Sequence, residues 1–248
     1  MPGADPIPEL KATLVSANRI LVHHDIVDGF GHVSARLPDN PERFLLARRK
    51  APGLVTADDI IEFDLSGEPV VEKHAPTFLE RFIHSEIYAA RPDVNSVVHS
   101  HSPLMVAMSV AGQGAFRPVC HTCGFLGEGT PLFEIRKVAG DATNLLISSR
   151  ELGKALAETL ADAGVVLMRG HGTTAVGASV QQAVYRAVYS EINARVQLSA
   201  QQMGVPEFLT PAEAKACEGT SSLQVERTWA YWLDLIGQGR ASQPGVAG

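Results

Sequence analysis

No stretch of this chain narrows its possibilities as far as Ser96-Val97-Val98-His99-Ser100-His101-Ser102. Two β-branched residues run into two histidines separated by one residue, and β-branched side chains favour extended backbone. Residues i and i+2 of a strand leave the same face. A strand here therefore delivers two imidazoles side by side at its end. Neutral imidazole is the commonest protein ligand for a divalent ion. A His-x-His pair is more often just two polar residues closing a strand, so the surroundings have to decide.

Those surroundings are globular. The chain has 248 residues, enough for one large domain or two small ones, with 45% apolar and 19% charged residues. A net charge of −6 argues against a nucleic-acid or anionic-membrane partner. Every apolar run is interrupted by Asp, Arg or Gly before it reaches membrane-spanning length. The opening Met1-Pro2-Gly3-Ala4-Asp5-Pro6 lacks the basic-then-apolar profile of a signal peptide. Three cysteines, Cys120, Cys123 and Cys217, are too few for a disulfide framework, and a reduced cytoplasmic setting is expected.

Hydrophobic periodicity predicts helices over residues 9–25, 77–91, 103–111, 152–163, 179–203 and 225–236. Thr77 reads as an N-cap of the second, and Pro92 lies just past its end. Strands are expected at 32–36, 44–47, 60–65, 94–101, 116–120, 165–168 and 173–176. Asp28-Gly29-Phe30-Gly31 and Ser66-Gly67 read as turns, and Thr56 to Asp59 as a turn or helix start. No repeat or mid-chain linker appears, so residues 1–236 read as one α/β domain and 237–248 as a disordered tail.

A third imidazole, His171, sits between Gly170 and Gly172 at the end of the buried run Val165-Val166-Leu167-Met168. Flanking glycines allow a sharp turn and a close approach by another group. An isolated Gly-His-Gly reads equally as a hydrogen-bonded loop, but here a strand delivers the histidine just as another delivers His99 and His101. Glu80, placed by the pattern on the helix before the His99 strand, supplies a carboxylate as ligand or acid/base. Arg81 is available to pair with it, His84 shares its face at i+4, and spacing alone does not separate Glu80 from Glu86.

Taken together, Glu80-Arg81-Phe82, the run Tyr88-Ala89-Ala90-Arg91-Pro92-Asp93-Val94-Asn95 continuing to His101, and Arg169-Gly170-His171-Gly172 resemble the class II aldolase/adducin family. Gly31-His32-Val33-Ser34-Ala35-Arg36 resembles the segment that opens that family's active site, and the similarity spans about residues 8–205. The resemblance implies a three-layer α/β/α fold with a central, mostly antiparallel sheet. It also implies a homotetramer with sites between subunits. By the same resemblance, His99, His101 and His171 bind one divalent ion, and Glu80 is a ligand that moves aside to act as acid/base. Zinc, manganese, cobalt and iron all accept this ligand set. Glu86 and His84 are then assigned to the helix surface and to packing. A complete ligand set disfavours the non-enzymatic adducin branch.

Departures from the sugar-phosphate members point to the substrate. An Asn of the first segment is His32, a Thr-Pro-x-Gly segment is replaced by Ala47-Arg48-Arg49-Lys50-Ala51-Pro52-Gly53, and a Ser-Ser pair by Phe78-Leu79. Small hydroxyls and glycine N–H groups suit phosphate, whereas arginine grips carboxylates with two parallel bonds. His32, Ser34, Arg48, Arg49 and Phe78 are thus candidate substrate contacts for a flat carboxylated ring. Any one of the basic residues read alone is a solvated surface charge. The segment Phe116 to His121 with Gly124-Phe125-Leu126-Gly127 resembles the branch that decarboxylates hydroxylated aromatic or pyridine dicarboxylic acids.

That branch needs an acid to protonate the ring carbon, and Glu80 and His121 are the candidates. An aldolase for a non-phosphorylated hydroxy-keto compound, an iron oxygenase and a non-catalytic interaction module are the rival readings. Cys120-His121-Thr122-Cys123 lacks the second cysteine pair of a structural zinc site and, with a Gly-rich continuation, the helix a redox motif needs; core or pocket lining is expected. Arg227 and Tyr231 on the last helix are candidate contacts to a neighbouring subunit's site, with Trp229 and Trp232 packing beside them.

Overall fold

The computed structural model describes residues 6–112 and 114–237. Amphipathic α1 (Ile7–His23) buries Leu14, Ala17, Ile20 and Leu21 on one side. The chain then turns through Gly31 into β1 (His32–Leu37) and β2 (Asn40–Ala47), with β3 (Ile60–Asp64) following a short 3₁₀ turn. Helix α2 (Arg81–Ala90) leads into β4 (Ser96–Ser100), and α3 (Pro103–Val110) follows. After a long irregular stretch come β5 (Leu132–Phe133), the single turn α4 (Arg136–Ala139), α5 (Arg150–Leu160), β6 (Val165–Met168) and β7 (Gly172–Gly177). The chain closes with α6 (Val180–Met203), α7 (Pro211–Ser221) and α8 (Val225–Gly237).

The strands form one seven-stranded sheet in the order β3-β2-β1-β4-β7-β6-β5. Every neighbouring pair is antiparallel except β5 with β6. Side-chain alternation divides the apolar core in two. Val33, Ala35, Val98 and Ala175 pack beneath α1, α3 and α6, with α8 lying against α1 and α6. Phe44, Phe63, Val97 and Val176 pack beneath α2 and α5. The result is the expected three-layer α/β/α arrangement. Among the described residues no helix is long and apolar enough to cross a membrane.

Three local expectations are corrected. The second helix begins at Arg81 rather than near Thr77, because residues 77–80 form an irregular wall over the sheet and Glu80 takes the N-cap position. The Glu80 carboxylate makes no bond to its own helix end; it reaches across to the Ile147 N–H at 3.0 Å. Residues 116–120 do not join the sheet. Asn193 and Gln197, buried on α6, satisfy this extended segment with amide side chains: the Arg117 and Val119 N–H groups donate to their oxygens, and the two amides donate to the Arg117 and Ala115 carbonyls. Finally, a 3₁₀ helix (His121–Leu126) does follow Cys120, whose Sγ lies 3.1 Å from that of Cys123; both thiols are free, Cys123 in the core and Cys120 half-buried.

Helix α7, only weakly amphipathic, and the short β5 and α4 lie outside the elements that periodicity predicts. The tail expected from Gly237 onward lies, Gly237 apart, outside the described residues, as does most of the segment read against a signal peptide.

Candidate metal centre

β4 is a central strand, flanked by β1 and β7, and His99 at its end pairs in register with His32 on one side and Thr174 on the other. His101 stands just past the strand. Ser102, also past the strand end, donates to the buried carboxylate of Glu191 on α6 at 2.8 Å, which pins the chain there. His171 occupies the tight β6–β7 turn, where its N–H bonds the Met168 carbonyl. The turn comes this close to β4 only because residue 172 has no side chain. A Cβ on Gly172 would lie 2.1 Å from the Ser100 carbonyl oxygen. Gly31, at φ +95°, lets the chain pass behind His99 in a conformation that disfavours a side chain.

These elements bring Glu80, His99, His101 and His171 together, with one ligand atom of each lying within 4.8 Å of all the others. The His101 Nε2 stands 2.9 Å from both the His99 and the His171 Nε2. Glu80 Oε2 lies 3.6 Å from His99 Nε2 and 3.5 Å from His171 Nε2. Proton positions follow from the outer partners. His99 Nδ1 faces the Thr173 carbonyl at 3.1 Å, and His171 Nδ1 the Leu145 carbonyl at 2.9 Å. A carbonyl only accepts, so each Nδ1 carries the proton and each Nε2 turns a lone pair inward. Converging lone pairs beside a carboxylate fit a cation, and carbonyls behind the rings are the usual orienting partners of metal-binding histidines.

The electrostatics divide the three imidazoles: burial lowers the pKa of His99 and His101, whereas at His171 the carboxylate of Glu80 overcomes burial and raises it. Burial works to raise the Glu80 pKa, but when His171 and His99 carry protons on Nε2 their hydrogen bonds and charges outweigh it and hold the carboxyl well below the usual range; the inward lone pairs belong to the neutral, ion-binding form. Burial likewise keeps His99 and His101 below the ordinary histidine value, His101 at about 4, so both are neutral ligands near pH 7.

The cluster borders a cavity of about 290 Å³ walled by Phe30, His32, Arg49, Lys50, Phe78 and Leu79, among others. Lys50 is committed to Asp59 at 2.6 Å. The exposed Arg49 guanidinium has no acidic partner among the described residues. A larger cavity, about 590 Å³, opens by Leu37 and Pro38 at the other end of β1. It borders none of the four clustered ligands, and Arg36 in its wall is engaged by the carbonyls of Val94, Pro41, Tyr88 and Arg91.

Several candidate contacts sit elsewhere. Ser34 is fully buried behind His32 and cannot touch a ligand in the cavity. Arg48 turns away, bonded to the Glu72 carboxylate at 3.1 Å and the Asp58 carbonyl at 2.9 Å. His121 is exposed at the start of the 3₁₀ helix beside α7 and does not line the cavity. Arg227 and Tyr231 on α8 lie away from this chain's own cavity, and the contact expected of them is with a neighbouring subunit's site. Arg81 pairs with Glu68 rather than Glu80, and Glu86 with Arg150.

His84 is not a helix-surface residue. It is wholly buried between His32 and Ser34, at 2.6 Å from each. Its position at i+4 from Glu80 was the available signal; which sheet residues it meets was not legible.

The sequence matches the class II aldolase and adducin N-terminal domain over residues 12–198. It is 34% identical to decarboxylase tropJ of Talaromyces stipitatus over 96% of this chain and 97% of that one. It is 32% identical to the 3,4-dihydroxyphthalate decarboxylase of Arthrobacter keyseri over 78% of this chain and 79% of that one. Among solved structures, an aldolase II superfamily protein from Pseudomonas syringae superposes with a TM-score of 0.77 at 23% identity, covering 97% of both chains.

Proposed function

Since this chain belongs to the class II aldolase and adducin family, we propose that it is a divalent-metal-dependent carbon–carbon lyase that decarboxylates a hydroxylated aromatic dicarboxylic acid of the dihydroxyphthalate kind. The observation that carries this reading is the convergence of three imidazoles and a carboxylate on a cavity whose wall holds a guanidinium without an acidic partner. The names of two relatives, both decarboxylases, support it.

His99, His101 and His171 hold the ion, with Glu80 as a fourth, displaceable ligand. A divalent cation there stabilises the negative charge that develops on a substrate oxygen as CO₂ departs. Arg49 binds a substrate carboxylate through paired N–H donors. Phe78 and Phe30 offer flat apolar faces that suit a ring, with Leu79 beside them. Glu80, held as the carboxylate, accepts the proton of a ring hydroxyl and returns it to the ring carbon. The carbon–carbon bond breaks with its electron pair left on the ring, the new carbon–hydrogen bond takes up that pair, and CO₂ leaves. The setting is a pathway of aromatic degradation, the assembly a homotetramer, and the location the cytoplasm.

The zinc-, manganese-, cobalt- and iron(II)-loaded proteins should be offered 3,4-dihydroxyphthalate while CO₂ and oxygen are followed together. Stoichiometric CO₂ without oxygen uptake is the expected result. Oxygen consumption with iron, aldehyde release from a hydroxy-keto compound, or no turnover of any dihydroxylated benzene dicarboxylate would overturn the proposal.

A further inference from the structure

Behind the cavity wall lies a buried polar chain that the metal centre does not use. β1 presents His32, Ser34 and Arg36 on one face, and α2 crosses it with His84 and Tyr88 one turn apart. His32 Nδ1 lies 2.6 Å from His84 Nε2. His84 Nδ1 lies 2.6 Å from Ser34 Oγ, and Ser34 Oγ lies 2.7 Å from the Tyr88 hydroxyl. Ser34 and His84 are 0% exposed and Tyr88 1%, so water does not rescue a mispaired group.

Proton counting gives the chain a direction. Tyr88 has one hydroxyl proton, and among the described residues its side-chain hydrogen-bond partner is Ser34 Oγ. Leaving that proton unpaired in the core is the costly alternative, so Tyr88 donates to Ser34. The Ser34 proton then goes to its other neighbour, His84 Nδ1. His84, accepting on Nδ1, carries its proton on Nε2 and donates to His32 Nδ1. His32, accepting there, has its own proton on Nε2. The His32 ring lines the cavity, 4.7 Å from the Phe78 ring and 5.1 Å from the His99 ring. Its Nε2 has no protein partner among the described residues.

We propose that Tyr88, Ser34 and His84 form a one-way hydrogen-bond relay that locks His32 as the Nε2-protonated tautomer, so that His32 presents a fixed N–H donor to an oxygen of the bound carboxylated substrate. The proposal rests on the reading that this cavity takes the substrate. His32 is then a binding residue, and the other three are positioning residues that act through it. A locked donor accepts a carboxylate or phenolate oxygen at that point and rejects an N–H or ammonium group, which makes the relay a determinant of specificity.

Tautomers are read directly by long-range proton–nitrogen NMR of the zinc-loaded protein labelled with ¹⁵N-histidine, with the His32 signals assigned by their loss in His32→Gln. Both His32 and His84 are expected to carry a single proton, on Nε2. A proton on His32 Nδ1, or on both of its nitrogens, overturns the relay. This measurement needs neither substrate nor turnover, so it stands even if dihydroxyphthalate is not the substrate. Ser34→Ala removes the donor to His84. It should populate the Nδ1-protonated form of His32 and lower kcat/KM for 3,4-dihydroxyphthalate about tenfold, the scale of one lost hydrogen bond to a charged group, with zinc stoichiometry unchanged. A folded Ser34→Ala protein with wild-type tautomers and wild-type kcat/KM would also refute it.

Discussion

Replacing Gly172 by alanine tests whether the metal centre depends on how closely β7 approaches β4. The added Cβ would sit 2.1 Å from the Ser100 carbonyl oxygen and 3.1 Å from the His101 Cα, and Cβ contacts below 3.0 Å are essentially never seen. Both neighbours are backbone and cannot rotate away. The two strand ends must part by about 0.9 Å, from 2.1 to at least 3.0 Å. One end carries His99 and His101, the other His171. Metal–ligand distances tolerate only about 0.2 Å, so a shift of this size should detach one imidazole and weaken binding about 100-fold. Overpacking of this kind costs about 1–3 kcal/mol of metal-free stability.

The two effects separate in thermal unfolding with and without zinc, supported by competition against a chromophoric chelator. At a free zinc concentration about 100 times the wild-type Kd, zinc stabilises the wild type by about 2.7 kcal/mol. A 100-fold weaker variant gains only about 0.4 kcal/mol from the same solution. A folded Gly172→Ala protein that binds zinc with wild-type affinity would refute the argument, because the close approach would then not be what assembles the ligands.

Three further outcomes are expected. Glu80→Gln keeps zinc through the three imidazoles but loses about 10²- to 10⁴-fold in kcat, the range for a positioned acid/base, as measured by CO₂ release. Arg49→Met raises KM for the dicarboxylate about tenfold to 100-fold while chelator competition shows zinc affinity unchanged. The third concerns pH: burial, and then the neighbouring His23, lower the pKa of His24 from 6.5 to about 4, with its ring edge-on to Trp232. Between those values the unfolded chain binds the proton first, so His24 favours the fold above pH 6.5 and loses that contribution as pH falls toward 4. Urea midpoints at pH 7.5 and 4.5 should therefore lie closer together in His24→Gln than in the wild type; an unchanged gap would exclude the effect.

Much of this arrangement is legible in the sequence. Val97-Val98-His99 announced a strand, and period two put both imidazoles on one side of it. Gly170-His171-Gly172 announced a turn tight enough to offer a third. The long helix ending at Met203 and the antiparallel sheet were expected from periodicity and from the family resemblance. Local signals misled where a side chain had a better partner far away. Residues 116–120 look like a strand, yet Asn193 and Gln197 satisfy their backbone. The pattern around Thr77 looks like a helix start, yet the chain stays irregular until Glu80 has reached the His99–His171 cluster and Ile147. Arg48 and Arg49 are indistinguishable neighbours in sequence. Only the fold shows that Glu72 and Asp58 hold the first, while the second remains at the cavity.

The His-x-His pair by itself determined that two imidazoles leave one strand together, because alternation along extended backbone is a local property. Whether a third imidazole and a carboxylate meet them was decided by strand order. Placing β7 against β4 brings His171 within 2.9 Å of His101 across 70 residues of chain. The relay behind His32 likewise exists only where α2 crosses β1. No local pattern encodes it, because each of its bonds joins residues 50 or more positions apart.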